Sequence, residues 1–149
     1  MTAPSISVRN LQRKIRVNVA ELQSFAAKAI RRSLQLHNQK ETDLRKLREI
    51  FILLVSDRRM ALLHRRFMHQ AGATDVLTFQ HGEIFIRVET AQRNAAAFGN
   101  SLSKELRLYV VHGLLHLHGF DDRTQDGARK MEAAQTRLLR SSNKAGVLE

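Results

Sequence analysis

Glu49-Ile50-Phe51-Ile52-Leu53-Leu54-Val55-Ser56 is the stretch on which the fold turns. Its six consecutive apolar residues, many of them β-branched or aromatic, have the length and composition of a buried strand. The run is far short of the about 20 residues needed to span a bilayer. Upstream, Ser5 to Arg9 alternates Ile6 and Val8 with polar residues, which predicts a short strand. Asn18, with Glu21 three residues on, predicts a helix cap, and Leu22, Phe25, Ala26, Ala29 and Ile30 then share one helical face. Residues 36–49 are polar and charged and read as a loop with at most a frayed turn.

Downstream, Ser56 or Asp57 caps a helix with Met60, Leu63 and Phe67 inward. Val76 to Phe79 and Glu83 to Val88 read as two strands joined around Gly82. A third helix runs from about Thr90 to Phe98 and stops at Gly99. A fourth starts at Ser101 or Ser103, carries Leu106, Tyr109, Val110 and Leu114, and ends at Gly119. The last runs from Gln125 to Arg140 with Ala128, Met131, Ala134 and Leu138 inward. This order predicts an α/β (α+β) fold, a single domain over residues 1–140 with a four-stranded mixed sheet covered by about five helices. Residues 141–149 read as a flexible tail.

A chain of 149 residues with 43% apolar residues has enough material for one hydrophobic core. It has no cysteine, which excludes disulfides, thiolate metal ligands and a cysteine nucleophile. Residues 1–20 offer only Ile6, Val8 and Leu11 among polar neighbours, unlike a secretory signal, so a soluble, cytoplasmic protein is expected. Twenty-five Lys and Arg against 14 acids give a formal net charge of +11. Such an excess attracts polyanions through phosphate contacts, with a solvated basic surface as the alternative. One Tyr and no Trp leave little for base stacking, so arginine–phosphate contacts would carry the affinity.

The chemistry is concentrated in His112-Gly113-Leu114-Leu115-His116-Leu117-His118-Gly119-Phe120-Asp121-Asp122. Four residues apart on a helix, His112 and His116 lie one above the other, about 6 Å along the axis, and both can reach one cation. Gly119 stops the helix and folds the chain back, so Asp121 or Asp122 arrives on the open side of the pair. Two imidazoles and a carboxylate leave a position for water, the arrangement of a catalytic zinc site at a helix end. The competing reading is two unrelated histidines on one helix. His118 lies off their shared face and reads as an outer or surface group. Zinc proteases place a general-base Glu directly after the first His; here that position is Gly113, so peptide hydrolysis lacks its usual base. Phosphodiester hydrolysis needs such a carboxylate less, because a cation both activates water and neutralises developing charge.

This segment resembles the YbeY-type endoribonucleases, rRNA maturation factors whose hallmark is His-Gly-x-Leu-His-Leu-x-Gly-Tyr/Phe-Asp-His. The resemblance extends to Thr74-Asp75-Val76-Leu77-Thr78-Phe79, to Gly82-Glu83-Ile84-Phe85-Ile86 and to Met131-Glu132, in order and spacing from about residue 50 to 139. It implies a zinc-dependent endoribonuclease for single-stranded RNA, acting in 16S rRNA 3′ end processing and ribosome quality control, with rRNA and the ribosomal subunit as partners. It assigns His112, His116 and Asp122 as ligands of one Zn²⁺, with His112 and His116 also catalytic. Asp122 stands where the family has a third His, a hard oxygen in place of an imidazole. The family's substrate-facing Arg falls on Met68 and its Asn on His64. Arg58, Arg59, Arg65 and Arg66 are the candidate substrate-binding residues, for a phosphate groove beside the metal. A metalloprotease-like hydrolase and a non-catalytic ribosome-associated RNA-binding protein are the alternatives. Thr74 and Asp75 read as a structural turn. The oligomeric state is open.

Overall fold

Ile50 to Val55 fall in the interior of a four-stranded sheet, in a computed structural model that describes residues 3–36, 41–67 and 75–143. The strands are β1 (Ser5–Asn10), β2 (Glu49–Val55), β3 (Val76–Thr78) and β4 (Glu83–Arg87), in the spatial order β1-β2-β4-β3. β1 and β4 flank β2 in parallel, Ile6 opposite Ile50 and Ile52 opposite Ile84, and β3 returns antiparallel along β4. The sheet is therefore mixed, as expected.

One face of the sheet, made of Ile6, Val8, Ile50, Ile52, Leu54, Ile84 and Ile86, is the main core. The other is covered only in part. Phe51, Leu53 and Phe85 stay half-buried, the Arg9 guanidinium lies 5.4 Å from the Phe51 ring centre, and Met60 and Leu63 pack near Val55, Leu77 and Phe85. The apolar run of β2 thus serves one dry face and one half-covered face.

Six helices occur among the described residues: α1 (Val19–Gln35), α2 (Asp43–Lys46), α3 (Asp57–Phe67), α4 (Val88–Ala97), α5 (Leu102–Leu117) and α6 (Gln125–Asn143). Asn18 caps α1, its side chain accepting from the Glu21 N–H at 3.1 Å, and Ser101 rather than Ser103 caps α5 through the Lys104 N–H. Ser56 accepts from the Arg59 N–H at the start of α3. Asp57 is left to receive Arg87 (3.2 Å), Arg93 (2.7 Å) and the Thr90 hydroxyl (2.9 Å), tying α3 to β4 and α4. β4 runs directly into α4, which begins at the fully buried Val88 rather than at Thr90.

The segment expected to be a loop contains α2, capped by Thr42 and anchored by the fully buried Leu44. One apolar residue among charges is too little periodicity to announce a helix. α6 extends three residues past Arg140, to Asn143, with Ser142 buried; residues 144–149 lie outside the described residues. No helix among those described is long and apolar enough to cross a membrane.

Candidate metal centre

α5 is apolar around most of its circumference because it packs against the sheet and against α1, α4 and α6. Leu106, Tyr109, Val110, Val111, Leu114, Leu115 and Leu117 are buried; His112 and His116 are half-exposed. Gly113 faces the sheet. A Cβ built there would lie 2.8 Å from Ile84 Cγ2, so the helix approaches β4 as closely as it does only because no side chain intervenes. This contact sets which way the histidine face turns.

The two rings meet. His116 Nε2 stands 3.0 Å from His112 Nε2, with the ring planes at 78°. On its far side, His112 Nδ1 is 2.9 Å from Gln135 Oε1 on α6. The backbone of Phe120 hydrogen-bonds to the His116 ring, where Gly119 (φ +90°) turns the chain out of α5. Burial, then the neighbouring His112, hold His116 below the ordinary histidine value, against the opposing pull of Asp122, Phe120 and Asp121. Both causes favour the neutral ring over the charged one, and the neutral ring is the form that binds a metal.

The donor pair fits a cation. Two nitrogens shared by one tetrahedral ion at about 2.0–2.1 Å stand about 3.3 Å apart, close to the observed separation. The Gln135 amide lies within hydrogen-bond distance of His112 Nδ1, on the side of the ring away from His116, and an amide oxygen there can only accept. Among the described residues no three His, Asp or Glu side chains converge as a ligand group. The two acids differ, however. Asp121 is engaged by Arg123, through its N–H at 3.1 Å and its guanidinium at 3.2 Å, and these hydrogen bonds hold its carboxyl below the usual range. Asp122 is exposed beside them, its charge acting on His116.

His118 is neither an outer partner of this pair nor a surface group. It is fully buried, with Nδ1 3.0 Å from the Thr42 hydroxyl of the α2 cap and Nε2 3.3 Å from the Leu36 carbonyl at the end of α1. Burial holds it below the ordinary histidine value, outweighing the upward pull of the Leu36 carbonyl. Folding therefore favours the neutral ring, and the unfolded chain binds more protons between its own value, about 6.5, and the lower folded one. Stability should fall as pH falls through that window, with His116 contributing in the same direction. Urea midpoints at about pH 7.5 and about pH 5.5 check this: the loss should shrink in His118→Gln. An equal loss in both proteins would remove His118 as a source.

Asp75 is structural, as expected. Its carboxylate lies 3.4 Å from the Asn94 amide and 3.5 Å from the Tyr109 hydroxyl, and its carbonyl accepts from the Arg87 N–H. Desolvation raises the Tyr109 phenol and keeps it protonated. These contacts also fix the direction of α5. Tyr109 sits at the Arg87 end of β4 and Gly113 over Ile84, so His116 lies toward the opposite end, where β4 begins. Arg58 and Arg59, exposed in the first turn of α3 beside the Asp57–Arg87 pair, therefore stand at the other end of β4 from His116. The structure does not bring them beside the histidine pair. The side chains of His64, Arg65 and Arg66, and the whole of Met68 and Thr74, lie outside the described residues. Gln135 and Thr42 were missed from sequence. Gln135 is a single polar residue next to the Ala134 stripe, and its partner is 23 residues away.

The family description "Endoribonuclease YbeY" matches residues 7–143. An endoribonuclease YbeY of Mycobacterium bovis is 35% identical over 154 residues, covering 91% of this chain and 81% of that protein. A chloroplastic endoribonuclease of the same name from Arabidopsis thaliana is 32% identical over 91% of this chain, a match that takes in only 26% of the plant protein. The Gluconobacter oxydans relative is 44% identical over 96 residues, covering 60% of this chain and 57% of its own length. A solution structure from Thermotoga maritima shares the fold, with a TM-score of 0.62 and 24% identity over 92% of this chain and 88% of that one.

Proposed function

The chain belongs to the endoribonuclease YbeY family, and from that premise we propose that it is a metal-dependent endoribonuclease for single-stranded RNA, with Zn²⁺ as its cofactor. The observation that carries the proposal is the 3.0 Å approach of the His112 and His116 Nε2 atoms on an otherwise buried helix. His112 and His116 would hold the cation, and Asp122 is the third ligand by its place in the family motif. When bound, the cation supplies Lewis-acid polarisation of a phosphodiester and activation of water. The residues of the chain supply the rest. Burial favours the neutral form of His116. The formal charge of +11 draws the RNA backbone to the protein. Arg58 and Arg59 act in that general attraction, at a distance from the scissile phosphate. We assign the activity to rRNA maturation at the 16S 3′ end and to ribosome quality control, in the cytoplasm, with rRNA in the ribosomal subunit as substrate.

A metalloprotease is disfavoured by the packing of Gly113 against Ile84, which leaves no room for a base at that position. The test is end-labelled single-stranded and duplex RNA incubated with purified protein, with chelator, and with chelator followed by zinc. Cleavage of the single strand that chelator removes and zinc restores is the expected result. Cleavage at an unchanged rate after chelation would overturn metal dependence. Salt-sensitive RNA binding without cleavage would favour the binding-protein reading instead.

A further inference from the structure

We propose that Gln135 is the positioning residue of the centre, fixing the His112 tautomer so that Nε2 is the bare nitrogen turned toward His116; this rests on the metal reading above. The contact bridges α5 and α6 at 2.9 Å. Neutral imidazole carries one proton, and the nitrogen that holds it is set by the partner of the other nitrogen. An amide oxygen beside Nδ1 draws the proton there. Without that acceptor the proton is free to occupy Nε2, the atom a cation needs.

The helix that carries Gln135 is anchored. Met131, Ala134 and Leu138 on the same helix are buried in the core, so the α6 backbone under it is anchored. Its amide is therefore presented to His112 from a rigid element, as outer partners of metal-binding imidazoles characteristically are. Gln also has no ionisable group, so the contact persists across the pH range in which a carboxylate would gain a proton.

The experiment compares wild type, Gln135→Leu and Gln135→Glu, each freed of metal and labelled with ¹⁵N. Long-range proton–nitrogen spectra report the protonated nitrogen of His112, and zinc titration reports affinity. The wild type is expected to show Nδ1–H and bare Nε2. Gln135→Leu should shift the proton toward Nε2 and weaken zinc binding roughly 10- to 100-fold. Gln135→Glu, which keeps an acceptor, should restore both. An unchanged His112 tautomer in a folded Gln135→Leu protein, or zinc bound as tightly as by wild type, would overturn the proposal. A wild type that binds no zinc, but whose Nδ1–H tautomer is lost in Gln135→Leu, would sink the metal reading while supporting the role of Gln135 in setting the tautomer.

Discussion

His116→Ala is expected to lower RNA cleavage by at least about 100-fold, the upper end of what loss of an outer partner costs, because on the proposed metal reading it removes a ligand outright. The fold should survive. His116 is half-exposed, and its burial already disfavours the charged ring, so its loss opens no large core cavity. A melting temperature within about 4 °C of wild type corresponds to a change of about 1 kcal/mol or less at this size. Zinc content should fall together with activity, since His112 alone offers one nitrogen where two converge. Normal cleavage in a variant emptied of zinc would show that the pair is not the reactive centre.

Gly113→Glu is the substitution expected to damage the fold most. It would write the zinc-protease sequence His-Glu-x-x-His into α5 without creating a protease. Position 113 faces β4: a Cβ there meets Ile84 Cγ2 at 2.8 Å and Cδ1 at 3.0 Å, and Ile84 is fully buried. Overpacking of a core costs about 1–3 kcal/mol. A carboxyl group forced into the same apolar layer adds several more, whether it ionises unpaired or is held protonated. The total, above about 4 kcal/mol, is a large part of the stability of an ordinary domain. Gly113→Ala should cost far less, because the roughly 1 kcal/mol gained in helix propensity offsets part of the clash. Urea denaturation of the two variants measures the difference. A Gly113→Glu protein as stable as wild type, with casein turnover, would refute both the packing argument and the nuclease assignment.

The same glycine shows how far a sequence can be read. The missing protease base at 113 was legible, but the reason for it was not, since Ile84 lies 29 residues earlier and reaches the helix only through the folded sheet. What did come from the chain alone shares one property: the interacting groups are close in sequence. The Asn18 cap reaches three residues, the His112–His116 pair four, and the turn at Gly119 immediately follows its helix. The apolar run of β2 likewise declared its own burial.

The family motif points to Asp122 as the expected ligand; what the structure adds is that Asp121 is bonded to Arg123. Tertiary packing alone decided the rest. It set the strand order β1-β2-β4-β3, and it buried His118 between Thr42 and Leu36, 76 and 82 residues away. It brought Gln135 to His112 and put Arg58 and Arg59 at the far end of β4. Short-range contacts are fixed by helical and turn geometry, which any segment carries with it. Contacts between distant segments depend on how whole faces pack, and only the assembled core specifies that.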